Sequence, residues 1–436
     1  GYSEFIQQDL VLRRDNKRFL FANWYSPSLK ETLSADFPEG EVGGHYGPGV
    51  RSFINVMHHF GAVTEGVMEK MLSSLGIQIS AGTISNLLKR EHSWAVEEQR
   101  SILQAAMQRV EPKQMDSTGN RQKGVNKTTH IITSCFFTVF YTLKGKSRLD
   151  CLCALQGNPP GGIQLLWYDG IDEDFKQAGV NAADRAEVHR LMQHKSCLGL
   201  SQFDEMMKTT APEIFAKPRI MRLLCEVMAL AYYAKQTDFP ALEVLLTDDA
   251  PEYNKLAIFR ALCWVHDARY YNKLTPAIAV NEQKLENFKT KYWNFYQKLL
   301  DFKELPTKKQ LLQKNILSTQ FDRIFTPNTK YGALDRVIQR TKVNKAELLR
   351  VLDFPSLPLH NNAAELAARR IVRKRDISLH TWSDWGTQLR DAFMSIIETA
   401  IKLGISAFDF IHDRITQQFK LPSLATVICP QFSRTF

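Results

Sequence analysis

Three acidic residues stand out by their surroundings, and their type suits phosphoryl-transfer chemistry. Asp116 lies in a stretch that reads as a strand, Gln114 to Ser117. Asp248 ends the β-type run Leu242 to Thr247 and is followed by Asp249, Ala250 and Pro251. Glu365 lies in the run from Asn361 to Arg375, which begins after Pro355 and Pro358 and is filled with alanine, leucine and arginine. Those residues favour a helix, and the prolines would stop an earlier one. Each acid alone has an ordinary reading. Asp248 could cap the next helix, and Glu365 with Arg369 could be a solvated helix pair. As a set they read differently. An acid at the carboxyl end of a buried strand is a common ligand position. A strand, a neighbouring strand end and a packing helix can bring three carboxylates together. Two Mg²⁺ ions roughly 3.5–4 Å apart then clamp the attacking and leaving oxygens of a phosphoryl transfer. Mg²⁺ keeps several waters, so a few carboxylates suffice.

The elements that must position these acids follow from periodicity. Strands are expected at Gln114–Ser117, Thr129–Thr133 and Phe136–Leu143, with Gly119 and Gly124 marking a turn between the first two. A further strand is expected over Phe259–Val265, with Cys263 and His266 at its end. One Cys and one His at this spacing are half of a zinc site. No second pair lies nearby, so a buried thiol and a hydrogen-bonded His are the plainer reading. Helices are expected over 94–110, through most of 145–240 and 267–355, and over a long amphipathic stretch from Leu389 that Gly404 ends. Leu285, Phe288, Tyr292, Phe295, Tyr296 and Leu299 form an apolar stripe, either core or a contact between subunits. Lys308, Lys309, Lys314, Lys342 and Lys345 would make the outer side of that region basic. Asp172, Glu173 and Asp174 read as a solvated helix start.

The amino-terminal part divides in two. Phe5–Arg13 and Arg18–Tyr25 alternate as short strands do, and a glycine- and proline-rich connector follows. From Val50 the pattern is helical. Leu75 to Ser80, with Gly76, reads as a short turn before the helix 81–90 capped by Ser80. This is the layout of a helix-turn-helix, and Ser85, Asn86, Lys89 and Arg90 would form its polar, basic side. An ordinary helical hairpin has the same pattern.

The chain has 436 residues, enough for two or three domains, and a formal net charge of +10, which favours an anionic partner, nucleic acid above all. Its seven scattered cysteines suggest reduced thiols in a cytosolic protein. No apolar run reaches the roughly 18–20 residues of a membrane span. Gly1 is not a Met, which leaves room for a preceding segment.

The motifs also form an ordered series. Met115-Asp116-Ser117-Thr118-Gly119-Asn120-Arg121, Leu246-Thr247-Asp248-Asp249-Ala250, Cys263-Trp264-Val265-His266, Asn361-Asn362-Ala363-Ala364-Glu365, Arg373-Lys374-Arg375 and Ile396-Ile397-Glu398-Thr399-Ala400 occur in that order. Over roughly residues 45–415 the series resembles DDE transposases of the insertion-sequence-sixty-six type. The resemblance implies an α/β fold: an RNase H-like mixed sheet interrupted by helical insertions and preceded by a helix-turn-helix region. The parts would be 1–49 (β-rich), 50–110 (DNA-binding), 111–150 and 241–266 (the two halves of the core), 151–240 and 267–355 (the insertions), 356–415 (the catalytic and carboxy-terminal helices) and 416–436 (tail).

By motif match, Asp116, Asp248 and Glu365 would hold two Mg²⁺ ions, with Mn²⁺ substituting, and catalyse end cleavage and joining. Asp248 rather than Asp249 matches. Cys263 and His266 would be structural. Asn362 would position the helix or touch DNA, and Arg369, Arg373, Lys374 and Arg375 would face phosphates. The partners would be transposon ends and target DNA, a second copy or larger synaptic assembly, and accessory transposition proteins, in a bacterial cytoplasm with no membrane. This chain departs from the family pattern at Ser117, Leu366 and His360, which puts end preference in doubt. Family members often carry a cysteine-rich zinc segment at the amino end, whereas here no Cys precedes Cys135. A catalytically silent DNA-binding descendant and an RNase H-like structure-specific nuclease are the rival readings.

Overall fold

The computed structural model describes residues 2–90, 92–193, 196–237 and 240–429. Its centre is a mixed five-stranded sheet: β1 (Lys113–Gln122), β2 (Val125–Thr133), β3 (Thr138–Leu143), β4 (Val244–Thr247) and β5 (Phe259–Leu262). The strand order is β3-β2-β1-β4-β5. β1, β2 and β3 form an antiparallel meander, while β4 runs parallel to β1 and β5 parallel to β4. All four residues of β4 are buried, as expected of a parallel strand covered on both faces.

Of the two glycines expected to mark the first turn, Gly124 does so and Gly119 does not. β1 continues through Gly119, which pairs with Thr128, and the reversal is the two residues Lys123 and Gly124. Both have positive φ, 48° and 79°, the conformation that matches a tight hairpin to the strand twist. β5 is also shorter than expected. It stops at Leu262, Cys263 caps a helix, and Trp264 turns into a buried pocket where its indole donates to the Leu348 carbonyl at 2.8 Å. A short apolar run fits a strand or a buried first helical turn equally well.

The helices that bear on the site are α1 (Pro48–His59), α2 (Glu65–Ser74), α3 (Ala81–Leu87), α4 (Ser93–Met107), α5 (Trp264–Asn272), α6 (Asn362–Ser378) and α7 (Asp384–Lys402). The sheet separates two sets of side chains by strand parity. Met115, Ile132, Val139 and Tyr141 face a large core with Ile102 and Leu103 of α4 and Phe393 and Ile396 of α7. Ile131 and Phe140 face the other way, against Ala367, Ala368 and Ile371 of α6.

The first insertion adds the buried helix Pro218–Lys235 to the large core. Asp172, Glu173 and Asp174 form the first turn of Ile171–Ala178, where the helix dipole favours acids. The second insertion closes its own core around Trp264, with Tyr292 at 5.3 Å and Phe295 at 5.7 Å between ring centres. Leu285, Phe288, Tyr292, Phe295 and Leu299 are buried there, so that stripe is core and not a free surface for a second copy.

α1, α2 and α3 enclose a small core of Ile54, Met68, Leu72, Ile79, Ile84 and Leu88. Gly76, at φ 79°, makes the turn between α2 and α3, and the Ser80 hydroxyl accepts from the Thr83 amide at 3.2 Å. At the amino end the hairpin is Asn23–Ser26 with Glu31–Ser34. Phe5–Arg13 forms no strand. Phe5, Ile6, Leu10 and Val11 are exposed, so the alternation there has no core to face. Among the described residues, no helix is long and apolar enough to cross a membrane. Of the tail, 430–436 lie outside the described residues.

Candidate active site

The sheet register places the first two acids. Gln114 of β1 lies opposite Leu246 of the parallel β4. Asp116 and Asp248 are each two residues further along, at the carboxyl end of β4, so the strand period turns them to the same face as that pair. The cross-strand partner of Asp116 is Ile131, which packs under α6. Glu365 is in the first turn of α6.

The electrostatics follow from that placement. The Asp116 carboxyl is pushed up to about 6, first by burial and then by the negative charges of Asp248 and Glu365. The Ser117 amide, donating to Asp116 Oδ1 at 2.8 Å, and the Arg269 charge oppose the rise. The three acids therefore share one electrostatic environment.

The two adjacent aspartates differ in what holds them. Asp248 Oδ1 accepts from the Ala250 amide at 3.0 Å, which shapes the turn after β4. Asp249 is paired with two guanidiniums, that of Arg260 at 3.2 Å and that of Arg340. Arg340 in turn holds the buried Asp267 at 2.8 Å. Asp249 thus belongs to an ion-pair network that fastens the second insertion to the sheet.

Glu365 is held by α5. Arg269 Nη2 donates to both carboxylate oxygens at 3.1 Å, and His266 Nε2 lies 3.5 Å from Oε1. Burial and the Arg269 charge push the His266 pKa down, against Glu365 and Asp248. The sequence reading missed Arg269. It placed a strand through Val265, and only a helix beginning at Trp264 puts His266 and Arg269 one turn apart on one face. The spacing His266-x-x-Arg269 was the available signal.

Asn361 is the second residue that the sequence pattern does not single out, the expectation of positioning the helix or touching DNA falling on Asn362. Its Nδ2 donates to the Met115 carbonyl at 3.0 Å, its amide to Cys263 Sγ at 3.3 Å, and its carbonyl accepts from the Glu365 amide at 3.1 Å. This one buried residue, through its side chain and backbone, joins β1, the start of α5 and the first turn of α6. Asn362 is exposed. Cys263 is buried and receives backbone N–H groups from Asn361 and His266, while burial pushes its thiol up. Among the described residues, no three His, Cys, Asp or Glu side chains already form a metal-binding group.

The basic residues divide. On α6, Arg369 and Arg373 are exposed at four-residue steps from Glu365. Arg375 donates to the Gly119 carbonyl at 2.5 Å. It lines a cleft of about 780 Å³ with Asn120, Arg121, Lys127 and His380. Lys374 departs from the expectation that it faces phosphates. It lies on the opposite side of α6, is buried, donates to the His58 carbonyl at 2.6 Å, and burial pushes its pKa down to about 8. Ser85 and Asn86 are on α3, whereas Lys89 and Arg90 lie just beyond its end and are exposed. Lys89 Nζ donates to Ser85 Oγ at 2.9 Å, and Trp385 of α7 donates to the Lys89 carbonyl at 2.9 Å.

Residues 231–389 match the family model described as Transposase IS66 family. That span holds Asp248, Cys263, His266, Arg269, Asn361 and Glu365, while Asp116 and α1–α3 precede it. An uncharacterized protein of Sinorhizobium fredii, y4jO, is 31% identical over 308 residues, 69% of this chain and 90% of the relative. With its motifs in the family order and a relative matched over nearly its whole length, the chain belongs to the IS66 family of transposases.

Proposed function

We propose that this protein is a DDE transposase that cleaves transposon ends and joins the freed 3′-OH to target DNA, with Asp116, Asp248 and Glu365 as its metal ligands. The observation that supports the reading is the β1–β4 register, which turns Asp116 and Asp248, directly after β4, to the same face, with the Glu365 charge acting on Asp116. A three-stranded meander followed by two strands parallel to the first is the order that an RNase H-like core requires. The pair α2 and α3, with Ser80 capping α3 and Asn86 on it, suits a helix-turn-helix that docks the ends.

Burial and the negative charges of Asp248 and Glu365 push Asp116 up to about 6, so this set of oxygen donors fits a hard divalent cation. Two Mg²⁺ ions, or Mn²⁺ in their place, would supply charge that stabilises the attacking and leaving oxygens. Asp116 and Asp248 would hold them from the sheet. Glu365 would do so from α6 once it leaves Arg269. Asn361 keeps β1 and α6 in fixed relation. Water attacks phosphorus at the element end, and the 3′ oxygen leaves with a proton. That 3′-OH then attacks a target phosphodiester and displaces the target's own 3′ oxygen. No side-chain nucleophile takes part, since positioning and charge neutralisation carry such reactions.

The test is metal-dependent cleavage of DNA carrying the ends that flank the gene. Wild type should cut at the 3′ ends with Mg²⁺ or Mn²⁺ and join them to a second duplex. Asp116→Ala, Asp248→Ala and Glu365→Ala should each lower cleavage by at least about 10³-fold while still binding the ends. End binding without cleavage by wild type would favour a silent DNA-binding descendant. Cutting without joining would favour a nuclease.

A further inference from the structure

We propose that Arg269 is a substrate-phosphate contact of this site, and that before DNA arrives it occupies Glu365 in an ion pair that keeps the metal site incomplete. The inference rests on the function proposed above and adds a residue to it.

The geometry has two sides. Both oxygens of Glu365 are taken by one guanidinium nitrogen, Arg269 Nη2, at 3.1 Å. A carboxylate so engaged cannot offer the same lone pairs to a cation, in keeping with the lack of a ready-made metal group among the described residues. The Arg269 side chain is also 48% exposed, against 19% for Glu365. An ion pair open to water on one side is weak. It can exchange partners at small cost.

The other arginines around the site are placed differently. Arg260 has an 11% exposed side chain, and Arg340 spans Asp249 and the buried Asp267 while lying over the Tyr270 ring. Those two are fixed in the scaffold. Arg269 is the one whose carboxylate partner is itself a proposed metal ligand.

A phosphodiester is the natural exchange partner. A guanidinium presents paired donors that match phosphate oxygens, and it is less strongly hydrated than an ammonium. A strand lying along Arg369 and Arg373 passes beside the first turn of α6 and reaches Arg269. As the guanidinium moves to phosphate, Glu365 is released toward Asp116 and Asp248. DNA and metal then assist each other's binding by the same factor, because linkage is reciprocal. Such an arrangement keeps an unloaded copy from assembling a complete hydrolytic centre.

The test uses the full chain and Mn²⁺ as the probe, with free Mn²⁺ read by electron paramagnetic resonance in the absence of DNA. The variants are Arg269→Gln, Arg269→Lys and the double variant Arg269→Gln/Asp248→Ala, each first shown to melt as the wild type does. Arg269→Gln should bind Mn²⁺ more tightly than wild type, by up to about five-fold, and the double variant should lose the gain. Arg269→Lys, which pairs at one point only, should fall between. After correction for the metal that DNA itself binds, a short end duplex should tighten Mn²⁺ binding by wild type but not by Arg269→Gln. An arginine with only a structural role would weaken metal binding when removed. Equal Mn²⁺ affinity in wild type and Arg269→Gln, both abolished by Asp248→Ala, overturns the role of Arg269 and leaves the triad standing. Absence of any Asp248-dependent Mn²⁺ binding overturns the metal site itself.

Discussion

At the scale of single residues, the site departs from what stability alone would select. Asp116 is a carboxylate in a position that penalises its charge, next to two more acids. Its folded-state pKa, about 6, lies above the ordinary 3.8. The metal-free fold therefore binds an extra proton between these values, and stability contributed by this group falls as pH rises from about 4 to 6. Each pKa unit corresponds to about 1.4 kcal/mol. Asp116→Asn should thus stabilise the metal-free protein above pH 6 by up to about 3 kcal/mol, with the difference shrinking toward pH 4. Thermal melting across that range checks it. A variant no more stable than wild type at pH 7.5 would mean that the carboxylate is satisfied where it lies. The same variant should lose cleavage, so greater stability and lost function would arise from one atom.

At the scale of elements, α7 does more than cover apolar surface. Its apolar stripe was legible, but a second row was not: Asp391, Ser395 and Thr399, four residues apart. Their side chains accept from the amides of Thr142 at 2.7 Å, Phe140 at 3.0 Å and Thr138 at 3.2 Å. The open edge of β3 is thereby closed by a helix, which removes a strand edge available for mispairing. Gln99 of α4 completes the arrangement by donating to the Phe140 carbonyl at 2.6 Å. Ser395→Ala should leave the Phe140 amide buried and unpaired. Its expected cost is about 1–3 kcal/mol in denaturant unfolding. Cleavage by the folded fraction should be unchanged, because Ser395 bonds the outer edge of β3, with β2 between it and the strand of Asp116. A variant as stable as wild type would show that another group satisfies that amide.

At the scale of the whole molecule, the net charge of +10 becomes a question of where the cations sit. Several already have partners within the chain: the buried Lys374 with the His58 carbonyl, and at the surface Lys314 with Asp353 and Lys345 with Asp322. Arg369 and Arg373 are exposed on the face of α6 that carries Glu365. If that face receives DNA, the double variant Arg369→Ala/Arg373→Ala should lower the slope of log affinity against log salt by roughly 2 units, about one for each phosphate no longer neutralised. It should weaken binding to end and random duplexes alike. Titration of a labelled duplex between low and moderate salt measures this. An unchanged slope would place the DNA elsewhere, with the cleft around Arg121, Lys127 and Arg375 the next surface to test.

Much of this protein was set by local pattern. The helix after Pro358, the meander strands and the turn from α2 into the Ser80-capped α3 follow from periodicity, breakers and caps, which act over a few residues. The motif order carried the family. The tertiary structure decided what depends on partners distant in the chain. Leu242 to Thr247 could have paired with either neighbour, but register with β1 put Asp248 beside Asp116. Asp248 and Asp249 are alike in sequence until Arg260 and Arg340 take the second. Asn361 and Asn362 are alike until the Met115 carbonyl takes the first. Lys374 and Arg373 are adjacent basic residues, yet a helical step of about 100° sends one to His58 and the other to solvent. Arg269 had no visible role until the strand at Leu262 ended early and α5 turned it onto Glu365. Charge and helix-forming tendency are written in single residues, whereas the choice of partner for a charge is made only when distant segments pack.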